Sequence, residues 1–309
     1  MQLMSRANGL SEFDRDWIAD QSLPAPLRNL SLLVNSISQV SQVSVDVVHR
    51  RMRDEYAAIG TNVSRGLAAQ GIEPFIWSSQ LERFYEQTDA FLYESTVWNL
   101  TLAKCRMRTW IGTYLKQSEA KLRVLAFGDG MGFDSLFLDS IGIDVTYFDV
   151  SKLGLSIAQR MFAEATNTIN IVTDPQDLRE GSFDVIVCLD VLEHVDDPPA
   201  LVRWLRGLLR TDGRLIVNAP FFLTNSTVKT HLKSNRKFAG DYQTLYEGMT
   251  VVAGRMFWDP IVLENSQSQS VPARLAWGAT MLRASRWWAT PFSLASQAII
   301  RRKHPLVFA

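Results

Sequence analysis

The sequence predicts an α/β fold, in which parallel strands form an open sheet with helices on both faces. From residue 121 to 219, short apolar runs alternate with helix-like segments, and such alternation implies right-handed crossovers between parallel strands. The first run, "KLRVLAF", is almost continuously apolar, as expected for a strand buried on both faces. It ends in three glycines at alternate positions, Gly128, Gly130 and Gly132, where the chain must bend sharply or approach a ligand closely.

The chain of 309 residues, 47% of them hydrophobic, is long enough for one large domain with extensions. We predict a helical extension over residues 1–118, an α/β core over 119–265, and a basic, tryptophan-containing tail over 266–309. Within the extension, a helix capped by Ser22 is expected in "SLPAPLRNLSLLVNSISQV". Residues 78–115 are rich in aromatic side chains, lack proline and are also expected to be helical.

The elements of the core follow one another in a regular order. Helices are predicted in "FDSLFLDS", "KLGLSIAQRMFAEA" and "PPALVRWLRGLLR", the last ending before a turn at Asp212-Gly213. Strands are predicted in "IDVTYF", "INIV", "FDVIVCL" and "RLIVNA". A helix in "YQTLYEG" and two closing strands, in "MTVVAGRMFW" and "PIVLE", complete the core.

The glycine turn and a later acid together predict a nucleoside-containing cofactor. In an open parallel sheet, ligands bind beyond the carboxyl ends of the strands. A glycine-rich turn lets backbone N–H groups approach such a ligand. Asp149 ends the second strand, 21 residues after Gly128, where a carboxylate can accept hydrogen bonds from both hydroxyls of a ribose.

The glycine spacing excludes two common nucleotide sites. In the dinucleotide fingerprint G-x-G-x-x-G, the last glycine position is occupied by Ser135 when counted from Gly130, and by Phe133 when counted from Gly128. A phosphate-binding loop requires Lys followed by Ser or Thr after its glycines, and this pair is absent. An oxidoreductase of the dinucleotide-binding type is therefore excluded.

Four segments resemble the class I S-adenosylmethionine-dependent methyltransferases: "VLAFGDGMG", "VTYFDVS", "FDVIVCLDVLEHVDDP" and "LLRTDGRLIVNAPF". They occur in that family's order and spacing. The resemblance implies a Rossmann-like sheet of seven strands, mostly parallel, with the last strand antiparallel. It also implies that S-adenosylmethionine is the cofactor. The residues expected to bind it are Gly128, Gly130 and Gly132 beneath the methionine part, Asp149 at the ribose, Asp174 near the adenine, and Leu189 with Asp190 at the methionine side.

Two positions depart from the family pattern. Ala126 stands where an acid is usual, and Asp129 is expected to take over the contact with the ammonium group of the cofactor. Pro175 lacks the N–H that the family often offers to the adenine ring. These two departures are the only support for the alternative of a non-catalytic module that binds S-adenosylmethionine.

Methyl transfer is an in-line displacement, so positioning of the acceptor supplies most of the catalysis, at best about 7–11 kcal/mol. A general base typically adds about 10²–10⁴-fold when the acceptor is a hydroxyl. His231, in the polar segment "STVKTHLKSNRKF" after the fifth strand, is the predicted base because histidine titrates near neutrality. Asp190 and His194, in "LDVLEHV" at the mouth of the site, are the other catalytic candidates. The alternative roles are a surface-loop histidine for His231, a solvated loop acid for Asp190, and packing or a helix start for His194.

The acceptor pocket is expected beneath the N-terminal helices, which form a lid in many members of the family. Tyr85 and Tyr93 are therefore predicted to contact the acceptor, and packing against the core is their alternative role. The scattered histidines and the two cysteines show no metal-ligand spacing, so no metal is predicted. The expected reaction is O-methylation of a small or medium-sized hydroxylated acceptor: a metabolite, a sugar or a secondary-metabolite scaffold.

Charge is distributed unevenly although the formal net charge is zero. The last 45 residues carry +6 and the remainder −6. This balance gives no support for nucleic-acid binding. The tail is expected either to pack on the acidic body of its own chain or of a second copy in a homodimer, or to contact an anionic membrane surface. Membrane contact would favour the alternative of a lipid-linked or glycan acceptor.

The predicted location is the cytoplasm, with the inner membrane surface as an alternative site. The N-terminal segment contains acids where a secretory signal needs an apolar stretch. No uncharged run reaches the roughly 18–20 residues of a membrane-spanning helix. The two cysteines suit a reducing compartment.

Overall fold

The computed structural model describes residues 30–165, 167–254 and 260–266, together with residues 280 and 284. The predicted cap at Ser22 and nearly all of the basic tail therefore lie outside the described residues. Among the described helices, none has the length and apolar character needed to cross a membrane.

Six helices precede the sheet in the part of the chain that the structure describes. They are α1 (Leu30–Ser41), α2 (Val45–Ala57), α3 (Thr61–Ala69), α4 (Ser79–Gln87), α5 (Ala90–Asn99) and α6 (Leu102–Leu115). The aromatic segment 78–115, expected to be helical, forms three helices. Hydroxyl caps begin two of them, because Ser78 accepts a hydrogen bond from Leu81 N and Thr101 from Lys104 N.

The sheet contains seven strands, as the family resemblance implied. They are β1 (Arg123–Phe127), β2 (Asp144–Phe148), β3 (Asn170–Val172), β4 (Phe183–Leu189), β5 (Leu209–Asn218), β6 (Thr250–Gly254) and β7 (Ile261–Glu264). Their order across the sheet is β3-β2-β1-β4-β5-β7-β6. Strands β1 to β5 pair in parallel, and β7 is antiparallel to both β5 and β6. This topology confirms the Rossmann-like class I methyltransferase fold.

The crossovers contain α7 (Phe133–Ser140), α8 (Lys152–Phe162) and α9 (Pro198–Leu208), and α10 (Tyr242–Leu245) follows β5. One predicted boundary is wrong: α9 ends at Leu208, and Asp212-Gly213 lies inside β5 instead of in a turn before it. Asp212 has a φ of 59°, which Asp tolerates better than most residues. The register between β4 and β5 also shifts here, so the extra residues form a bulge within the strand.

The helical extension and the sheet share one hydrophobic core. Alternate residues of β1 face opposite sides: Val124 and Ala126 pack with Leu33, Met52 and other side chains of the extension. Leu125 and Phe127 belong to the second cluster, on the face that α9 covers. The extension therefore completes the core on one face of the sheet.

Buried ion pairs also join the extension to the sheet. The ammonium of Lys104, 4% exposed, lies 3.1 Å from Asp134 Oδ2 and 3.1 Å from Asp190 Oδ2. Arg108 Nε contacts Asp134 Oδ1 at 2.7 Å. These contacts connect α6 to the start of α7 and to the end of β4.

The substitution Lys104→Met should destabilise the protein by about 3 kcal/mol, because it removes the buried cation that pairs with the buried carboxylate of Asp134 and with Asp190. Unfolding by denaturant at neutral pH measures the change. The matched control is Lys121→Met, whose exposed ammonium lies 3.5 Å from Asp144 and should contribute less than about 1 kcal/mol. Equal effects of the two substitutions would contradict this account of the ion pairs.

Candidate active site

A cavity of about 500 Å³ lies beyond the carboxyl ends of β1, β2 and β4. The position is where the strand order reverses, between β1 and β4, and ligands bind there in open α/β sheets. Helices α4 and α5 close the opposite side. The lining includes Gly128, Gly130, Asp149 and Asp190 from the sheet side, and Tyr85, Phe91, Glu94 and Trp98 from the helices.

The glycine turn is required by backbone conformation and close packing. Gly128, Gly130 and Gly132 have φ values of 73°, 53° and 81°, which disfavour residues with a side chain. A Cβ atom on Gly128 would lie 2.4 Å from a methyl of Val191, and one on Gly132 would lie 2.5 Å from Phe162. A Cβ atom on Gly130 would meet nothing within 4 Å. Gly128 and Gly130 line the cavity, whereas Gly132 packs against α8.

Asp149 is fixed beside this turn. Its Oδ2 accepts a hydrogen bond from Gly130 N at 2.7 Å, and its Oδ1 accepts one from Ser151 N at 2.7 Å. Burial raises the pKa of this carboxyl. A carboxylate offers about four lone pairs, so acceptor capacity remains for a ligand in the cavity. The geometry suits the predicted contact with ribose hydroxyls.

The surroundings of Asp129 differ from those expected of a residue that contacts the ammonium group of the cofactor. It is absent from the cavity lining, and its two oxygens accept hydrogen bonds from Asp134 N at 2.9 Å and Ser135 N at 2.7 Å. Both amides belong to the first turn of α7, where free N–H groups attract a carboxylate. Asp129 thus caps α7, and the structure does not support the ammonium contact.

The Asp129 carboxyl predicts a pH dependence of stability. Burial, followed by the nearby charge of Asp134, raises its pKa to about 7. The folded state then holds a proton that the unfolded chain releases near pH 4. The contribution of this proton to the free energy of unfolding should be complete below pH 4. It should be lost as the pH rises to 7, and the free energy of unfolding should then fall by up to about 1.4 kcal/mol per pH unit.

Comparison of the wild type with Asp129→Asn isolates this effect, because the amide does not titrate. Denaturant unfolding of both proteins is measured at several pH values between 4 and 8. As the pH rises, the free energy of unfolding of the variant should increase relative to that of the wild type. A difference that is constant across this range would show that Asp129 does not titrate as described.

Three other predicted residues lie outside the cavity lining. Asp174 is exposed and accepts a hydrogen bond from Gln176 N at 2.9 Å, so it caps a short 3₁₀ helix. Leu189 is buried in β4, and only its neighbour Asp190 reaches the cavity. Tyr93 is fully buried, and its hydroxyl lies near Arg51 and Asp89. The acceptor contact predicted for Tyr93 is not supported, because its ring packs in the core.

Asp190 lines the cavity, but its carboxylate already accepts hydrogen bonds from three side chains of the protein. It accepts hydrogen bonds from Lys104 Nζ at 3.1 Å, Trp98 Nε1 at 2.8 Å and Asn218 Nδ2 at 3.1 Å. These three hydrogen bonds hold the carboxylate as a rigid part of the cavity wall. Trp98 and Lys104 were missed as site residues, since nothing in their local sequence indicates a partner some 90 residues away.

The two histidines predicted as catalytic lie side by side at the cavity wall. Their rings are perpendicular, with centroids 4.6 Å apart. His231 Nδ1 lies 2.6 Å from Leu223 O, and because a carbonyl only accepts, Nδ1 carries the proton and Nε2 a lone pair. His194 Nδ1 lies 3.3 Å from Thr230 O and 2.9 Å from the Tyr85 hydroxyl. Burial lowers the pKa of His194 to about 4 and that of His231 well below its usual value.

Glu193 completes an imidazole–carboxylate cluster with His194 and His231. Its Oε1 lies 3.9 Å from Nε2 of each histidine. The side chain is 1% exposed, and within the described part of the chain neither carboxylate oxygen has a hydrogen-bond partner. Burial raises the pKa of this carboxyl. Sequence spacing gave no sign of the cluster, because His231 follows His194 by 37 residues.

A family model described as a methyltransferase domain matches residues 101–243. This part of the chain is a class I methyltransferase domain. The methyl donor of that family is S-adenosylmethionine, and the cavity borders the glycine turn and the strand ends of the domain.

Two curated relatives and one solved structure illustrate the similarity. A ubiquinone biosynthesis O-methyltransferase of Paraburkholderia phymatum is 36% identical over 115 residues, 36% of this chain and 47% of that protein. Its counterpart from Xanthomonas oryzae pv. oryzae is 33% identical over 103 residues, 32% of this chain and 43% of that protein. The chain thus spans about half the length of these relatives. A Pyrococcus horikoshii protein of known structure is 13% identical, with a TM-score of 0.43, over 61% of this chain and 99% of that one.

Proposed function

We propose that the methyltransferase domain transfers a methyl group from S-adenosylmethionine to a hydroxyl group of a small or medium-sized acceptor. One observation carries the proposal: a single cavity borders the glycine turn with Asp149 and also the imidazole–carboxylate cluster. Its volume of about 500 Å³ lies in the range of small-molecule sites. The relatives named as O-methyltransferases agree with oxygen as the acceptor atom.

The sheet side of the cavity suits the donor. The backbone at Gly128 and Gly130 is open to a ligand, and Asp149 retains lone pairs for ribose hydroxyls. Six of the lining residues are carboxylic acids, whereas none of the lining residues within the described ranges is Lys or Arg. They are Glu82, Glu86, Glu94, Asp149, Asp190 and Glu193. This acidic lining suits the sulfonium and ammonium charges of the donor.

The helical side of the cavity suits the acceptor. Tyr85, Phe91 and Trp98 supply apolar and aromatic surface, and the cluster presents lone pairs to an acceptor hydroxyl. In the reaction the hydroxyl oxygen bonds to the methyl carbon as the sulfur–carbon bond breaks, and its electron pair stays on sulfur. The hydroxyl proton leaves to an acceptor in the cluster or to water, and alignment supplies most of the rate enhancement.

Incubation of the full chain with methyl-labelled S-adenosylmethionine and a panel of phenols, sugars and other hydroxylated metabolites tests the proposal. Label should appear in a hydroxylated acceptor, as a base-stable methyl ether. Binding of the donor without transfer to any member of a broad panel would instead favour the non-catalytic alternative.

The acidic lining also predicts which acceptors are used. An acceptor with a phosphate group should be used at least about tenfold less efficiently than its unphosphorylated counterpart, because the described lining offers no Lys or Arg to pair with the phosphate and its ionised acids repel it. Measurement of kcat/KM for such a matched pair checks this. Equal or greater efficiency with the phosphorylated compound would contradict it and would favour a lipid-linked phosphate acceptor.

The membrane-surface alternative depends on the charge of +6 in the last 45 residues. Flotation of the chain with anionic liposomes, with and without residues 266–309, tests it separately. Failure of both forms to bind would exclude this alternative and leave the proposed reaction unaffected.

A further inference from the structure

We propose that Glu193, His194 and His231 bind a divalent transition-metal ion at the acceptor end of the cavity. This inference deepens the proposed function and rests on it, because the ion would activate the acceptor hydroxyl. The three side chains offer ligand atoms that all lie within 4.8 Å of one another. They come from two segments, the turn after β4 and the loop after β5.

The first argument is that three hydrogen-bond acceptors face one another, and that no donor from the described residues lies between them. The carbonyl of Leu223 holds the proton of His231 on Nδ1, so Nε2 presents a lone pair. The carbonyl of Thr230 favours the same tautomer of His194. A buried carboxylate with no partner is costly, and a cation between the three atoms would satisfy all of them.

The second argument is that the histidines have the outer partners typical of metal ligands. A metal-bound imidazole usually donates its other N–H to a carbonyl or carboxylate, which fixes the tautomer and the ring orientation. The contacts of His231 with Leu223 O and of His194 with Thr230 O have this form, at 2.6 Å and 3.3 Å. The Tyr85 hydroxyl, 2.9 Å from His194 Nδ1, adds a further contact on that side.

The third argument concerns distance. Glu193 Oε1 lies 3.9 Å from both Nε2 atoms, which is too far for a shared proton to form a hydrogen bond with either imidazole. A metal ion with bonds of about 2.0–2.2 Å to each ligand fits between atoms at this separation after a small inward rotation of the side chains. The spacing therefore favours a metal ion over a proton.

The donor set indicates the kind of metal. Two imidazole nitrogens and one carboxylate oxygen suit Zn²⁺, Fe²⁺ or Co²⁺, whereas Mg²⁺ and Ca²⁺ prefer oxygen ligands. All three residues line the cavity, so the remaining coordination positions face the acceptor, as in catalytic metal sites. An acceptor hydroxyl bound there would lose its proton to water more readily, and its oxygen would then attack the methyl carbon. His231 would act as a ligand in place of the predicted general base.

Metal binding can be measured without any methyl transfer. The full chain is stripped with a chelator, dialysed and titrated with Co²⁺, whose visible absorption reports nitrogen and oxygen ligands; Zn²⁺ displacement is followed by elemental analysis. We expect one ion per chain. Glu193→Gln and His231→Ala should each weaken binding more than about 100-fold, whereas the matched control His49→Ala, at an exposed histidine of α2, should leave it unchanged.

The outcomes separate the metal site from the proposed function. Circular dichroism and binding of S-adenosylhomocysteine establish that each variant is folded, and His231→Ala serves if Glu193→Gln does not fold. Absence of Co²⁺ and Zn²⁺ binding by the wild type, or equal binding by folded variants, would overturn the metal site even if methyl transfer occurs. Specific metal binding without methyl transfer would support the site and count against the proposed function instead. Full activity of the metal-free protein in chelator would overturn the role of the ion in activating the hydroxyl.

Discussion

Replacement of Asp149 by alanine should weaken binding of S-adenosylmethionine and S-adenosylhomocysteine at least about 100-fold. The carboxylate is fixed by Gly130 N and Ser151 N at 2.7 Å each, and it borders the cavity. Each charge-assisted hydrogen bond to a ribose hydroxyl contributes about 1.5–3 kcal/mol, so loss of two such bonds predicts this effect. Isothermal titration calorimetry with both compounds measures the change.

The matched control for this substitution is Asp144→Ala. Asp144 is an exposed acid at the opposite end of the same strand β2, so its loss should alter the dissociation constant less than about twofold. If Asp149→Ala and Asp144→Ala bind the two compounds equally well, Asp149 does not contact the ribose.

Replacement of His231 by alanine should lower kcat about 10²–10⁴-fold at saturating acceptor, while the affinity for S-adenosylhomocysteine changes little. The imidazole is 6% exposed and its Nε2 carries a lone pair directed toward Glu193. Its loss removes either the proton acceptor or a ligand of the proposed ion. Single-turnover measurement of methyl transfer separates this chemical effect from product release.

His49→Ala is again the control, since it removes an exposed histidine that is not part of the cavity lining and should leave kcat unchanged. Undiminished turnover of a folded His231→Ala variant, with acceptor at saturation, would exclude any role of His231 in the chemistry.

The sheet could be predicted from the sequence because its signals are local. Apolar runs such as Phe183–Leu189 have the length of a buried strand, and the structure places β4 at those residues. The turn after β1 requires glycine because of its positive φ values and close contacts. Its glycine pattern therefore predicts the turn from the sequence alone. The misplaced turn at Asp212-Gly213 has a different cause: Leu209 pairs with Phe183 and Arg214 with Val185, so the residues between them, which favour a turn in isolation, form a bulge within β5.

Most of the acceptor side could not be predicted, because it depends on contacts between distant segments. Tyr85 and Tyr93 have similar local surroundings in sequence, yet only Tyr85 reaches the cavity. Asp129 lies within the glycine turn, but free amides at the start of α7 capture its carboxylate. The cluster of Glu193, His194 and His231 forms only when the loop after β5 folds back onto the turn after β4.

The most direct test of the central claim, that the cavity beside the glycine turn binds the nucleoside of a sulfonium donor, is calorimetric titration of the purified full chain with S-adenosylhomocysteine. We predict saturable binding of one molecule per chain, reversed by competition with S-adenosylmethionine. Absence of heat at any concentration, together with no displacement of labelled donor, would contradict the claim.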